Sequence, residues 1–216
     1  MSNPDPSRHD MHGGAPNRTR SRPKGPTPRP RRGAGHFNAA EMSRKRGNLA
    51  DAIEAYRKAV GLAPTNAYYR FRLAEALELT GDLANAADEL SAACEVEPAS
   101  HFYRFRLADL YDRAALPFDA ARELESAAQL APVDHYYCLR LGMLYLRLQC
   151  VLDAVRWLSQ AVAGAPDNAA YHLLLGDAYV RLGSERPALD HYRLGRTLTG
   201  GDAAQTAALR LRAAGG

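Results

Sequence analysis

Four prolines, Pro64, Pro98, Pro132 and Pro166, fall 34 residues apart three times running. Two residues beyond each stands a small polar side chain, Asn66, Ser100, Asp134 or Asn168, again at intervals of 34. Proline lacks an N–H and clashes with the preceding turn, so it closes a helix. The side-chain oxygens of Asn, Ser and Asp accept from the free N–H groups at the start of the next one. This fixed interval confines the chain to one supersecondary unit used repeatedly. A unit of that size cannot bury its own apolar face and must bury it on a neighbour.

Within each unit the apolar residues recur at helical spacing in two runs. The break between them falls at Gly81-Asp82, Ala115-Leu116-Pro117, Gln149-Cys150 and Gly183-Ser184. Each unit therefore reads as two antiparallel helices of about three to four turns. Small residues keep their columns: Ala74, Ala108, Gly142 and Gly176; Ala52, Ala86, Ala120, Ala154 and Ala188; Ala59, Ala93, Ala127 and Ala161, ending at Gly195. At a helix crossing, anything larger than a methyl group holds the backbones apart. Large residues fill the spaces between, with Leu73, Leu107, Leu141 and Leu175 in the first helices. Tyr56, Leu90, Leu124, Leu158 and Tyr192 do so in the second.

The leucine followed by a small residue, the later alanines and the closing proline resemble the tetratricopeptide repeat in order and spacing. The resemblance covers roughly residues 33–202 as five units. The first is degenerate, with Ala39-Ala40 where the others have Leu before Ala or Gly, and the fifth ends in Gly200-Gly201 instead of proline. It implies an all-α fold, a right-handed α-solenoid of five helix-turn-helix repeats with a C-terminal capping helix. The expected domains are a disordered basic tail over 1–35, repeats over 36–202, and the capping helix and chain end over 203–216. Arg70, Arg104, Cys138 and His172 stand where the family often has a bulky aromatic. The neighbouring Tyr69, Tyr103, Tyr137 and Tyr171 are the candidates to replace that packing.

The chain's 216 residues are 46% hydrophobic, enough for a sizeable core. No run approaches the roughly 18–20 consecutive apolar residues of a membrane helix, and residues 1–35 lack the apolar stretch of a secretory signal. The three cysteines, Cys94, Cys138 and Cys150, show no C-x-x-C spacing, so idle thiols in a reducing cytoplasm are expected. There is no Walker-type glycine loop, no G-x-S-x-G elbow and no H-E-x-x-H helix. His101 and His135 share a column in adjacent units, about 10 Å apart by helix packing, too wide for one metal. They read as helix-start histidines at a solvated edge. Glu75 and Glu78 share columns with other charged residues and read as a solvated or partner-facing surface. No enzyme, metal or cofactor is expected.

In the family, the first helices line the concave face of a superhelix and usually form the ligand groove. The resemblance places Tyr68, Phe102 and Tyr136 there, with Phe71, Phe105 and Leu139 one turn on. Beside them run Arg72, Arg106 and Arg140, then Glu75, Asp109 and Met143. Aromatics three residues apart share a helix face, so stacked units make an aromatic ladder edged by guanidinium groups. Such a strip can hold a peptide by apolar anchors, with the arginines pairing its carboxylates; packing between repeats is the other reading of the same aromatics. Phe71, Phe105 and Leu139 stand where chaperone-binding members carry a polar carboxylate clamp, so chaperone C-termini are not the expected ligand. The expected function is a protein-interaction scaffold.

The net charge of +4 is uneven, since residues 1–35 carry +6 and the rest −2. Arg18, Arg20, Arg22, Lys24, Arg29, Arg31 and Arg32 lie within 15 residues, with no acid between Asp10 and Glu41. Seven prolines and five glycines in residues 1–35, with nothing to bury, predict disorder there. Three readings of the tail stay open. It is a solubilising extension, a weak salt-sensitive nucleic-acid contact, or, through Arg20-x-x-Pro23-x-x-Pro26, a proline-helix ligand. The nucleic-acid contact is the alternative function.

Overall fold

The computed structural model describes residues 32–199. The described residues form ten α-helices and no strand: α1 Ala34–Lys45, α2 Leu49–Leu62, α3 Ala67–Leu79, α4 Leu83–Val96, α5 His101–Arg113, α6 Pro117–Leu130, α7 His135–Arg147, α8 Val151–Gly164, α9 Ala169–Arg181 and α10 Glu185–Thr199. The tail up to Arg31 and the capping segment expected at 203–216 lie outside the described residues. Ala34 and Gly35, grouped with the tail by composition, form the start of α1.

The punctuation works as its chemistry requires. Asn66 Oδ1 accepts from Tyr69 N at 3.2 Å, Asp134 Oδ1 from Tyr136 N at 3.2 Å, and Asn168 Oδ1 from Ala170 N at 3.0 Å. Ser100 caps α5 more loosely, with Oγ 3.5 Å from Tyr103 N. Every first helix ends in one turn type, with its last amide bonding back five residues: Asn48 to Ser43, Asp82 to Leu77, Leu116 to Tyr111, Cys150 to Tyr145 and Ser184 to Tyr179. That closure needs a left-handed residue just past the helix. Gly47, Gly81 and Gly183 supply it in units one, two and five, whereas Ala115 (φ 58°) and Gln149 (φ 60°) are forced into it in units three and four.

The helices pair as α1–α2, α3–α4, α5–α6, α7–α8 and α9–α10, and each pair packs on the next. Packing follows chain order, so the result is an all-α repeat solenoid and not a closed bundle. The small-residue columns are buried from end to end, as are the leucine and tyrosine columns that oppose them. At Gly176 an added Cβ would lie 2.5 Å from Cε1 of the Tyr192 ring. The tightest crossings are thus set where only a hydrogen fits.

Candidate functional site

The odd-numbered helices carry the expected site, and its rows behave differently. Tyr68, Phe102 and Tyr136 are 48%, 44% and 43% exposed. Phe71, one turn on, is only 7% exposed; Phe105 and Leu139 are half-buried. Phe71 meets Phe102 of the next unit edge-on at 5.1 Å between ring centroids, and Phe105 meets Tyr136 at 5.8 Å. Phe37, a residue not singled out in the sequence, makes the first rung with Tyr68 at 5.5 Å. The exposed and the packed aromatics are therefore two rows of one staircase. The second row wedges between repeats, while the first keeps nearly half its surface free.

Tyr69, Tyr103 and Tyr137 are buried and take the vacated aromatic packing. Their rings lie 4.6 Å from Phe37, 5.8 Å from Phe71 and 5.4 Å from Phe105, respectively. In units two, three and five the residue at the aromatic position itself reaches across the hairpin to a residue 19 positions on, whereas Cys138 of unit four meets Gln160, 22 positions on. Arg70 pairs with Glu89 at 2.8 Å and Arg104 with Glu123 at 2.9 Å. In unit five the same reach is His172 Nδ1 to His191 Nδ1 at 3.0 Å. His172 Nε2 lies 2.8 Å from the Pro166 carbonyl and must donate to it. When the His172 ring is neutral its Nδ1 is then an acceptor, and the His191 Nδ1–H is the donor.

The arginine row is paired within the protein. Arg72 grips Glu41 of the unit before through Nε at 2.9 Å and Nη2 at 3.0 Å, and Glu75 through Nη1 at 2.7 Å. Arg106 reaches Glu78 at 3.2 Å and lies over the Phe71 ring. Arg140 reaches Asp109 at 3.1 Å and lies over Phe105 and Tyr136. A second ladder joins Arg113 to Glu78 and Arg147 to Asp112. Glu78, read as solvated or partner-facing, thus pairs with Arg106 and Arg113 of the next repeat, and Glu75, read the same way, pairs with Arg72 on its own helix and lies 3.9 Å from Arg106. His101, read as a solvated edge residue, bonds the Tyr137 hydroxyl at 2.8 Å.

At the first unit this network is strongly coupled. Burial alone would push the Glu41 carboxyl up; the Tyr56 hydroxyl and the Arg72 and Arg44 guanidiniums outweigh it and hold the pKa below the ordinary carboxylate value. Tyr56 is pushed up to about 12 by burial and then by the carboxylate it donates to. In unit five the Tyr192 hydroxyl donates to Asp177 at 2.6 Å, the same pair 15 positions apart.

Two openings mark the first-helix face. One, of about 190 Å³, is lined by Arg44, Arg72, Glu75, Glu78, Leu79 and Arg106, and its charges are closed on one another. The other, of about 510 Å³, is bounded by Leu124, Tyr136, Leu139, Met143 and Leu144, with Arg140, Arg147 and Asp112 also lining it. The face thus changes along the array from a mainly ionic opening to one in which apolar side chains predominate beside the Arg147–Asp112 pair. Among the described residues no group of three or more His, Cys, Asp or Glu is placed to hold a metal ion. Among the same residues no helix is long and apolar enough to cross a membrane. Arg18, Arg20, Arg22, Lys24, Arg29 and Arg31 lie outside the described residues, and Arg32 is exposed ahead of α1.

A family model described as tetratricopeptide repeat matches residues 24–67, 37–101 and 139–203. Among solved structures, MamA is similar with a TM-score of 0.68 at 18% identity, over 78% of this chain and 92% of that one. MamA from Desulfovibrio magneticus RS-1, solved from residue 41 to its end, gives 0.63 at 19% identity, over 78% and 95%. YrrB, described as a TPR protein with an unusual peptide-binding site, gives 0.64 at 17% identity, over 82% and 90%. A search of curated protein sequences returned no match. At these identities the solved structures show a shared fold and nothing more. The family model spans more than half of the residues, and its match agrees with the helix pairing, the 34-residue caps and the small-residue columns: the chain belongs to the tetratricopeptide repeat family.

Proposed function

We propose that this protein is an interaction scaffold that holds a peptide segment along the face of its first helices, the concave side of the array by family resemblance. Family membership supports the scaffold role, and YrrB, a neighbour in fold, is described as having a peptide-binding site. The observation that carries the reading is the row Tyr68, Phe102 and Tyr136. These rings are anchored by one edge to the previous unit and free on the other, and they lead to the opening of about 510 Å³ beside Met143. Half-exposed aromatics on a rigid helix face offer large contact area at little cost in side-chain entropy. An exposed row of this kind is an interaction surface more than a core.

The rows also decide the experiment. Phe71 is buried between repeats, so its truncation reports on packing. Tyr68→Ala, Phe102→Ala and Tyr136→Ala together strip the exposed row and leave Phe71, Phe105 and the arginine ladder in place. Partners captured by the full chain and identified by mass spectrometry are then titrated against this triple variant. Loss of tenfold or more in affinity, with helical content unchanged, is the expected result. Undiminished binding by a fully helical triple variant removes the first-helix face from the reading.

A further inference from the structure

The two inter-repeat ladders fail at the same junction. The acid column that supplies Glu41, Glu75 and Asp109 to arginines of the following unit becomes Met143 in α7. The arginine column that runs Arg72, Arg106 and Arg140 becomes Leu174 in α9. The second acid column, Glu78 then Asp112, becomes Leu146, which is buried. Three of the four columns thus turn apolar together between units four and five. The fourth keeps its charge: Arg181 is exposed and stands where Arg113 and Arg147 stand in the units before. Its Nη1 donates to the Leu146 carbonyl at 3.0 Å, and among the described residues no carboxylate lies within ion-pairing distance of it. Asp177, one turn earlier on α9, is engaged by the Tyr192 hydroxyl.

The result is a mainly apolar seat, bordered by the already paired Asp112 and Arg147, and beyond its far side a cation with no carboxylate partner among the described residues. Tyr136, Leu139 and Met143 form the seat, and Met143 leaves 47% of its surface free. Arg147 borders that opening, and Arg181 is its equivalent one unit on, about 10 Å further along the array. In an extended segment about three residues cover that distance. Resting on the first-helix reading above, we infer that the preferred ligand segment carries a large aliphatic or aromatic side chain for the Met143 seat and a carboxylate about three residues away for Arg181. A carboxylate is chosen because the repeats themselves place one there twice: Glu78 meets Arg113 and Asp112 meets Arg147. The partner supplies the acid that Leu146 no longer provides. It docks toward units four and five, since the corresponding charges of units one to three are already neutralised.

The probe is a set of fluorescein-labelled octapeptide pools, titrated by polarisation against the full chain. The pools fix Leu or Ala at one position, and Glu or Lys three residues to either side, all other positions being randomised. The Leu/Glu pools are expected to bind about fivefold tighter than Leu/Lys, the scale of one exposed ion pair, with the preference shrinking as salt rises. Arg181→Gln keeps a donor for the Leu146 carbonyl. It is expected to abolish the Glu-over-Lys preference while preserving that for Leu over Ala; Met143→Glu is expected to lose both. Pools that bind in a manner sensitive to the Tyr68, Phe102 and Tyr136 substitutions, but show no acid preference or keep it in Arg181→Gln, overturn this inference and leave the first-helix site standing. Binding indifferent to all of these residues, or no binding by any pool, overturns both.

Discussion

The crossing of α7 and α8 yields a test of the packing argument in which the usual rule for helices is inverted. Replacing a glycine inside a helix by alanine ordinarily stabilises by about 1 kcal/mol, through lost backbone freedom in the unfolded chain. At Gly142 the added Cβ would lie 2.7 Å from Leu158 Cδ2 and closer still to its Cγ. Carbon atoms rest at about 3.5–4.0 Å, so the helices or the leucine must move by roughly 1 Å. Leu158 has no exposed surface, and overpacking on this scale costs about 1–3 kcal/mol. Gly142→Ala is therefore expected to lose about 1 kcal/mol net. Gly61→Ala, on α2 with nothing within 4 Å of the new Cβ, should be neutral or gain up to about 1 kcal/mol. Urea unfolding followed by far-ultraviolet circular dichroism reads both midpoints in one experiment. A double-mutant cycle with Leu158→Ala should return a coupling of about 1 kcal/mol or more, since the clash vanishes with the leucine. Equal gains from Gly142→Ala and Gly61→Ala would refute the claim that a single hydrogen sets this crossing.

Ala115 and Gln149 sit in the left-handed region that glycine fills in the other units; Ala115→Gly and Gln149→Gly should each raise the urea midpoint by the equivalent of about 0.5–1 kcal/mol, and a fall in either would show the turn to be held by something else. Burial, and then the neighbouring His172, hold His191 below its ordinary pKa of 6.5. The unfolded chain therefore takes up a proton that the folded one resists, so this contribution is complete above pH 6.5 and declines as the pH falls toward the lower folded value. The urea midpoint of the wild type should drop more between pH 7.5 and 5.5 than that of His191→Gln; parallel curves would exclude the histidine pair as the cause. Burial pushes the Cys94 thiol up to about 11 and raises that of Cys138 as well, while Cys150 is partly exposed. An aromatic disulfide reagent at pH 8 should thus titrate one thiol rapidly and the other two only in urea, and three rapid equivalents would contradict the burial.

The 34-residue interval made the hairpins, their caps and all three small-residue columns readable from the sequence, because each depends on spacing along one helix or within one unit. What it left hidden was the meeting of columns across units. Arg72 and Glu41 are 31 positions apart, as are Arg140 and Asp109. Opposite charges at that separation recur down the sequence and were a usable signal. Exploiting it requires the rotation between successive hairpins, which sets whether columns 31 or 35 apart come together, and a repeat length alone does not encode that rotation. The same gap explains Arg70 and Arg104. Seen alone they are departures from an aromatic position; seen with Glu89 and Glu123, 19 positions on, they are one half of a pair. His172 and His191 follow the same geometry without opposite charges, so no charge-based search would have found them.

These cross-unit pairs also separate structural from interactive positions within a single helix face. A side chain whose partner lies in the adjacent unit is spent on holding the array: Arg72, Arg106 and Arg140 with their acids, and Phe71 against Phe102. The hydroxyls of Tyr56 and Tyr192 serve the acid column at its two ends, where the inner units carry Leu90, Leu124 and Leu158 instead. Beyond the half-exposed row of Tyr68, Phe102 and Tyr136, a residue is left free for a partner where a column changes chemistry and its counterpart disappears. Met143 and Arg181 satisfy that condition: Met143 because neither it nor Leu174 carries a charge, Arg181 because Leu146 stands in place of its acid. Restoring the ladder with Leu146→Glu should therefore neutralise Arg181 from within, and it should weaken acidic peptides more than apolar ones. The same substitution in a protein whose ligand ignores Arg181 would leave binding unchanged and cost only the burial of a paired carboxylate.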